Sequence, residues 1–322
     1  MLKDSLLQVD NLTVHFETLR GYVKAAHDIT FELAKGHTLG LAGESGCGKT
    51  TTALAILRLL PSNGRIIRGK VILEGKEITG MKSERFRKQI RWKKISMVFQ
   101  GAMNSLHPIK TVGDQISEAI LTHEDTGKQE AVERVEKLLD LVGVGAERVD
   151  RYPHELSGGM KQRAVIAMAL ACNPSLIIAD EPTTALDVIV QTQVMKVIKE
   201  LQEKLNLSMI IISHDLSLIA ETTTEIAIMY AGNLVEYADS VMIFKEPLHP
   251  YTQRLIGAFP SIIGPKLELS TIPGFPPDLI NPPPGCRFHP RCPYAKEECK
   301  KDIPLLKNVG SKTHSVACHL VN

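Results

Sequence analysis

The chain has 322 residues, 43% of them hydrophobic, which is enough for a buried core in one large domain or two ordinary ones. Its 38 lysines and arginines nearly balance 36 aspartates and glutamates, so the net charge is +2 and no polyanionic partner is indicated. We see no secretory signal, and the longest apolar run, AVIAMALAC, has only about nine residues, too few to span a bilayer. We therefore expect a cytoplasmic protein.

The first hundred residues show mostly strand patterns. Apolar and polar residues alternate over residues 5–35, which is typical of a half-buried antiparallel sheet. HTLGLAG then predicts a short buried strand that leads into a glycine-rich loop and a helix. GKVILEGKEI predicts two short strands around a turn at Glu74 and Gly75, and KISMVFQ predicts a strand buried on both faces.

Helical patterns and buried strands alternate further along the chain. From about 104 to 170 the apolar residues recur every three to four positions, and AVERVEKLLDLVGV predicts a helix that ends near Gly143. The strands SLIIADEP and SMIIISHD flank the helix VIVQTQVMKVIKELQEKL, and this order predicts a parallel sheet covered on both faces. After about 235 prolines cluster, as in PGFPPDLINPPPGC, and predict a loop-rich appendage.

A phosphate-binding loop is predicted at GESGCGKT, residues 43–50, which matches G-x-x-x-x-G-K-[ST] between a strand and a helix. The glycines allow successive backbone N–H groups to point into one concave nest at the N-terminus of the helix, where they bind phosphate oxygens. Lys49 would bring a positive charge to the β- and γ-phosphates. The hydroxyl of Thr50 would bind Mg²⁺.

Polar residues at the ends of buried strands would complete a site for hydrolysis. Asp180 ends the strand LIIAD and would hold Mg²⁺, while Glu181 beside it is placed to act as the general base for an attacking water. Gln100 ends ISMVFQ, and His214 ends MIIISH, from which it could direct its imidazole at a γ-phosphate. The segment LSGGMKQR (156–163) places two glycines at the start of a helix, and they would form a second phosphate nest.

In this order, the motifs resemble those of one family, the ATP-binding cassette (ABC) ATPases, over roughly residues 5–235. The resemblance implies an α/β fold, a P-loop cassette with a mostly parallel core sheet, an antiparallel β subdomain and a helical subdomain at about 101–165. It places the nucleotide-binding domain at 1–235 and a Pro/Cys-rich C-terminal extension at 236–322. In the family, each ATP lies between the loop of one cassette and the LSGGMKQR-type signature segment of a second. Closure therefore requires ATP, and hydrolysis releases it.

The resemblance also implies roles for individual residues. The catalytic residues would be Glu181, His214 and Gln100. The Mg²⁺ ligands would be Thr50, Gln100 and Asp180. An aromatic side chain after the first strand would stack on the adenine, and Phe16 fits that place, with Tyr22 as the alternative. The nucleotide-binding residues would be Phe16, Gly43, Ser45, Gly46, Cys47, Gly48, Lys49, Thr50 and Thr51, the signature residues Ser157, Gly158 and Gly159, and Asp187 of the D-loop.

Four of the six cysteines lie in the extension, and they are Cys286, Cys292, Cys299 and Cys318. A cytosolic phosphate site favours reduced thiols over disulfides. The spacing C-x5-C-x6-C-x18-C lacks the paired C-x2-C of common zinc sites, yet four thiolates suit zinc or an iron–sulfur cluster. EPLHPYTQRLIGAFP and GCRFHPRCPYA resemble the extension of ATPase subunits in dipeptide/oligopeptide ABC importers. There the four cysteines are associated with a 4Fe–4S cluster, and zinc is the alternative for this chain.

The subfamily implies an energy-coupling subunit of an importer for di- or oligopeptides, peripheral on the cytoplasmic face of the cell membrane. Its partners would be a second ABC ATPase subunit, usually a different chain, two membrane permease subunits that dock on the helical subdomain, and an extracellular solute-binding protein, but no nucleic acid. An importer of oligosaccharides or another small solute is an alternative, because other subunits select the cargo. A soluble ABC ATPase acting on DNA or ribosomes is more distant, since such chains carry two cassettes or long coiled coils.

Overall fold

The computed structural model describes residues 5–258, 272–310 and 314–321. The chain separates into two compact units. The first unit comprises Met1–Leu33, Leu39–Thr79 and Ser213–Asn322, and the second comprises Ala34–Thr38 and Gly80–Ile212. The glycine-rich loop therefore belongs to the first unit, and the predicted carboxylate pair belongs to the second.

Both units contain strands and helices. The strands are β1 (Ser5–Thr18), β2 (Gly21–Ala34), β3 (Thr38–Ala42), β4 (Gly64–Leu73), β5 (Lys76–Glu77), β6 (Ile95–Val98), β7 (Leu176–Asp180), β8 (Ser208–Ile212), β9 (Glu225–Tyr230), β10 (Asn233–Asp239), β11 (Lys307–Asn308) and β12 (Ser315–Val316). The α-helices are α1 (Lys49–Ile56), α2 (Ser83–Gln89), α3 (Val112–His123), α4 (Lys128–Leu141), α5 (Gly158–Leu170), α6 (Val188–Leu205), α7 (Leu216–Thr222), α8 (Ser240–Lys245) and α9 (Pro250–Gly257). Short 3₁₀ helices lie at Ala102–Ser105, Ala146–Arg148, Pro153–Glu155, His289–Arg291 and Glu298–Lys300.

The N-terminal strands of the first unit form a sheet in the order β2-β1-β4-β5. β1 and β4 are antiparallel, and so are β4 and β5, the two short strands predicted around a turn. β1 and β2, predicted from alternation, are neighbours in the same sheet. The turn between β4 and β5 lies at Glu74 and Gly75, whose φ angles of 49° and 75° suit a tight hairpin turn. β4 begins at Gly64, ahead of the predicted start at Gly69.

The second group of strands in the first unit is mixed. β3 is parallel to β9, β9 is antiparallel to β10, and β12 pairs antiparallel with both β10 and β11. Ala231 and Gly232 form the turn between β9 and β10 with φ angles of 48° and 84°. The predicted extension thus adds β11 and β12 to the strands of the cassette. β10 spans residue 235, where the domain boundary is predicted, and the boundary itself stays a prediction.

An aromatic cluster joins the extension to the core of the first unit. Tyr230 at the end of β9, Tyr251 in α9 and Phe288 are all buried. Their ring centroids lie 4.7 Å (Tyr230–Tyr251), 5.1 Å (Tyr230–Phe288) and 5.4 Å (Tyr251–Phe288) apart, in the tilted and edge-to-face arrangements that aromatic rings prefer. The proline-rich pattern predicted a loop-rich appendage, but the described part of the extension shares this core.

The second unit is built on the parallel strands β6, β7 and β8. β7 and β8 are buried at every position, and α6 connects them, as the strand–helix–strand pattern predicts. α4 ends just before Gly143, whose φ of 67° is the left-handed conformation that stops a helix. α3, α4 and most of α5 lie within the predicted helical subdomain. The predicted α/β fold with a mostly parallel core sheet is confirmed.

Candidate active site

The glycine-rich loop connects the fully buried strand β3 to α1. Gly43, Gly46 and Gly48 have φ angles of 144°, 77° and 105°, which side chains other than glycine rarely adopt. A Cβ atom on Gly43 would lie 2.1 Å from the carbonyl oxygen of Met229, and one on Gly48 would lie 2.3 Å from that of Ala25. The carbonyl groups of the neighbouring strands therefore lie so close to Gly43 and Gly48 that only glycine fits at these two positions.

Lys49 is held inside this loop. Its Nζ donates to the carbonyl oxygen of Gly43 at 2.7 Å and to that of Glu44 at 3.1 Å, and it lies 3.6 Å from Sγ of Cys47. The Cys47 thiol is buried, and burial raises its pKa, so it stays protonated beside the ammonium group. The loop thus positions a positive charge among its own backbone carbonyl groups.

One side of the loop is open to solvent. Ser45, Gly46 and Thr50 are exposed, and no atom lies within 4 Å of the position that a Cβ on Gly46 would take. Thr51 is partly buried. The hydroxyl of Thr52 points into the protein and donates a hydrogen bond to the carbonyl oxygen of Gly48 at 2.9 Å. This open concave side has the backbone conformation and the charge that phosphate binding needs.

In the second unit, Gln100 and Glu181 are brought together. Nε2 of Gln100 donates to Oε2 of Glu181 at 2.8 Å, and the hydroxyl of Thr184 donates to the same oxygen at 2.9 Å. The backbone of Glu181 has a φ of 46° and its N–H donates to the carbonyl oxygen of Ile212 at 2.8 Å. Two donors and the backbone therefore orient this carboxylate.

The neighbouring residues differ slightly from their predicted places. Asp180 is the last residue of β7 and is buried, as predicted. Gln100 and His214 do not end their strands, because β6 stops at Val98 and β8 stops at Ile212. His214 is exposed and belongs to the first unit.

Thr184 is a site residue that no motif of the sequence predicted. Its hydroxyl follows Glu181 by three residues in the run EPTT, which was the only signal available.

The signature segment lies at the start of α5. Ser157 caps this helix, its Oγ accepting a hydrogen bond from the N–H of Met160 at 3.3 Å. Ser157 and Gly158 are exposed, whereas Gly159 is buried with space for no side chain, since a Cβ there would lie 2.6 Å from Cγ1 of Val190. The exposed edge therefore offers backbone N–H groups, and the buried glycine allows α5 to approach α6.

Asp187 lies at the beginning of the next helix. It caps α6 through a 2.9 Å hydrogen bond from the N–H of Val190 to its Oδ1, and its side chain is exposed. The two apolar residues that follow, Val188 and Ile189, are 76% and 72% exposed. The start of α6 therefore presents two neighbouring apolar side chains to solvent beside a polar cap.

The aromatic candidates occupy different surroundings. Phe16 lies near the end of β1, where its ring covers Gly64, so that a Cβ on Gly64 would be 2.7 Å from Cε1 of Phe16. Tyr22 is exposed, with its ring centroid 6.5 Å from that of His15. An exposed ring is available to stack on a base. Phe16 stays a prediction, with Tyr22 beside it as the alternative.

The four cysteines of the extension lie in one region of the first unit. The N–H of Cys286 donates to the carbonyl oxygen of Cys299 at 2.9 Å. Burial, together with the nearby thiols of Cys318, Cys299 and Cys292, raises the pKa of Cys286 to about 11. Among the described residues, however, no three His, Cys, Asp or Glu side chains are grouped closely enough to hold a metal ion. As placed, the thiols do not fit a cluster or zinc.

These features define the class of protein before any comparison. A glycine-rich loop that encloses a lysine before a helix, and a pair of carboxylates at the end of a parallel strand, of which Asp180 is buried and Glu181 partly buried, define a P-loop ATPase. The sequence model of the ABC transporter family matches residues 26–184. The model described as the C-terminal region of oligopeptide/dipeptide transporters matches residues 235–299.

Relatives match nearly the whole chain. The dipeptide transport ATP-binding protein DppD of Bacillus subtilis is 43% identical, with 98% of this chain and 95% of the relative covered. The oligopeptide transport ATP-binding protein OppD of the same organism is 45% identical, with 98% and 89% covered. The dimeric structure of MJ0796, a bacterial ABC transporter cassette, is 25% identical with a TM-score of 0.65, and covers 73% of this chain and 99% of its own.

The chain belongs to the ABC transporter family and carries the C-terminal region of its oligopeptide/dipeptide group. It is therefore an ATPase subunit of a transporter, and membership implies ATP and Mg²⁺. In the described part of the chain, no helix is both long and apolar enough to cross a membrane.

Proposed function

We propose that this chain binds Mg²⁺–ATP and hydrolyses it to drive import of di- or oligopeptides. The observation that carries the proposal is the orientation of the Glu181 carboxylate by the amide of Gln100 and the hydroxyl of Thr184. A carboxylate oriented from two sides is suited to accept the proton of an attacking water. His214 would contact the γ-phosphate, as the resemblance implies.

The loop of the first unit would bind the phosphates. Support comes from its positive φ angles, its open side and the position of Lys49 among the loop carbonyls. The Mg²⁺ ligands would be Thr50, Asp180 and Gln100, all of which offer the oxygen atoms that this ion prefers. When bound, Mg²⁺ neutralises the charge that develops on the phosphates.

A second cassette would complete the ATP site. The exposed Ser157, Gly158 and Asp187 would face the nucleotide of the partner cassette, and the exposed Val188 and Ile189 would lie against the partner itself. This arrangement explains why apolar side chains remain uncovered in one cassette. In this subfamily the partner is usually a different chain, so we propose a heterodimer.

The cassettes would lie on the cytoplasmic face of the membrane below two permease subunits. Ile109, within the segment that follows Gln100, is 78% exposed and would contribute to permease docking on the helical subdomain. An extracellular solute-binding protein would deliver the cargo. Peptides are proposed because relatives named for dipeptide and oligopeptide transport match nearly the full chain. Oligosaccharides or another small solute are the alternative.

The nucleotide role is tested by removing the loop lysine. Lys49→Ala should weaken binding of Mg²⁺–ATP to the full chain by about 10- to 100-fold, because a charge-assisted contact is lost. Binding is measured by titration calorimetry at a temperature well below the melting transition. An affinity equal to that of the parent would overturn the proposed phosphate site.

The four cysteines are a separate part of the proposal. The resemblance of the extension to that of importer ATPase subunits implies one site for a 4Fe–4S cluster, with zinc as the alternative, although the thiols as placed fit neither. Because the thiols do not form a ligand set as placed, no step of the ATP cycle is assigned to them. Anaerobic purification followed by iron, zinc and acid-labile sulfide analysis tests the site, and stoichiometric zinc without sulfide would contradict the cluster.

A further inference from the structure

The extension contacts the phosphate loop directly, through Glu44. This residue follows Gly43 in the loop, and its carboxylate forms a two-point ion pair with Arg291 of the extension. Nη1 of Arg291 lies 2.7 Å from Oε2 of Glu44, and Nη2 lies 3.0 Å from Oε1. The side chain of Arg291 is only 6% exposed and that of Glu44 is 25% exposed. Paired donors and acceptors of this kind fix orientation as well as distance.

The guanidinium of Arg291 is itself held in place by the extension and the core. Its Nε donates to the carbonyl oxygen of Pro273 at 2.8 Å, and Nη2 reaches the carbonyl oxygen of Ile272 at 3.3 Å. Nη1 also donates to the hydroxyl of Tyr230 at 3.2 Å, and the guanidinium lies 5.7 Å from the centroid of that ring. Arg291 therefore presents Glu44 with a rigid rather than a mobile charge.

A second residue of the extension holds the backbone of Glu44. The N–H of Glu44 donates to the hydroxyl of Tyr251 at 2.9 Å. Tyr251 is completely buried, and its ring packs against Tyr230 and Phe288. The extension thus fixes this loop residue at both its backbone and its side chain.

Glu44 in turn holds the lysine of the loop. Its carbonyl oxygen accepts a hydrogen bond from Nζ of Lys49 at 3.1 Å, beside the 2.7 Å bond from Nζ to the carbonyl oxygen of Gly43. A continuous set of contacts therefore runs from Arg291 and Tyr251 through Glu44 to the charge that would meet the phosphates. A small displacement of that charge weakens its contact with an anion.

We infer that Arg291 is a positioning residue for nucleotide binding, which acts through Glu44 to hold the phosphate loop in its binding shape. The C-terminal extension is then a part of the ATP site of its own cassette. This inference rests on the proposed nucleotide role of the loop. An ion pair that served stability alone would alter the melting temperature and leave the affinity for ATP unchanged.

The test is a double-mutant cycle in the full-length chain, with binding of Mg²⁺–ATP measured by titration calorimetry well below each melting transition. Arg291→Met and Glu44→Ala should each weaken binding by about 10- to 100-fold, the effect expected when a positioned group moves by an ångström. The double variant should bind as weakly as the single variants and no more weakly, because both remove the same interaction. Parent affinity for Arg291→Met, or fully additive losses, would overturn the inference.

Two controls separate the possible failures. Lys300→Met removes another positive charge of the extension, in an exposed pair with Glu297, and should keep the affinity of the parent. If Lys49→Ala weakens binding and Arg291→Met does not, only this inference fails. If Lys49→Ala has no effect, the proposed phosphate site fails.

A further variant keeps the inference testable if Arg291→Met does not fold. Tyr251→Phe removes only the hydroxyl that accepts from the N–H of Glu44, and it retains the ring. Tyr251→Phe and Glu44→Ala, each made as a single variant, should both fold and should each weaken ATP binding. Parent affinity for both of these variants would overturn the inference.

Discussion

Gly43→Ala tests how tightly the phosphate loop is fixed. A Cβ at this position would lie 2.1 Å from the carbonyl oxygen of Met229, whereas carbon–oxygen contacts normally begin near about 3.3 Å, so the loop or β9 must shift by about 1 Å. The φ of 144° adds about 1–3 kcal/mol of backbone strain, and the overpacking adds about 1–3 kcal/mol. We therefore expect a loss of about 2–6 kcal/mol in the free energy of unfolding.

Gly46→Ala is the matched control in the same loop. Its φ of 77° is also unfavourable for alanine, but no atom lies within 4 Å of the added Cβ, so we expect a loss of only about 1–2 kcal/mol. The midpoints of the two ranges differ by about 2.5 kcal/mol, so differential scanning calorimetry without nucleotide should show Gly43→Ala melting about 5 °C below Gly46→Ala. Equal melting temperatures would refute the claim that the contact with Met229 requires glycine.

Three further predictions concern hydrolysis, helix packing and pH. Glu181→Gln should lower ATP turnover in the assembled transporter by about 10²- to 10⁴-fold while ATP still binds; phosphate release at the parent's rate would assign the general base to another residue. Gly159→Ala places a Cβ atom 2.6 Å from Cγ1 of Val190 and should lower the free energy of unfolding by about 1–3 kcal/mol. An unchanged melting temperature would contradict this overpacking. Burial lowers the pKa of His249 to about 3, whereas the pKa in the unfolded chain is about 6.5. Below about pH 6.5 only the unfolded chain therefore binds a proton at this imidazole, which favours unfolding. Urea denaturation should show that the free energy of unfolding falls by about 2 kcal/mol between pH 7 and pH 5. His249→Asn should remove that part of the pH dependence, and a slope equal to the parent's would refute the assignment.

Local patterns were sufficient to predict much of the fold. The buried strand before Gly43, the helix after it and the alternation of β7, α6 and β8 follow from residue periodicity within short windows. The hairpin turn at Glu74 and Gly75 follows from the need for positive φ angles. The predicted ends of β6 and β8 lie two residues too late. No glycine or proline stands between the last strand residue and Gln100 or His214 to mark the end of the strand.

Contacts between distant parts of the chain could not be predicted in this way. Arg291 and Glu44 are separated by 247 positions, and neither residue belongs to a periodic pattern that indicates its partner. The same is true of Tyr251 and Phe288, which lie in segments with turn-forming residues yet occupy the core of the first unit. Such contacts depend on the pairing of β9, β10 and β12, which is decided by tertiary packing and not by local propensity.

The measurement that tests the account most directly is solute-stimulated ATP hydrolysis by the complete transporter in lipid, purified with its permeases and solute-binding protein. A pool of di- and oligopeptides is compared with a pool of oligosaccharides, and the Glu181→Gln complex is the background control. The account predicts that peptides stimulate hydrolysis and that oligosaccharides do not. Stimulation by oligosaccharides alone would contradict the peptide assignment, and hydrolysis by the control at the parent's rate would contradict the assigned general base.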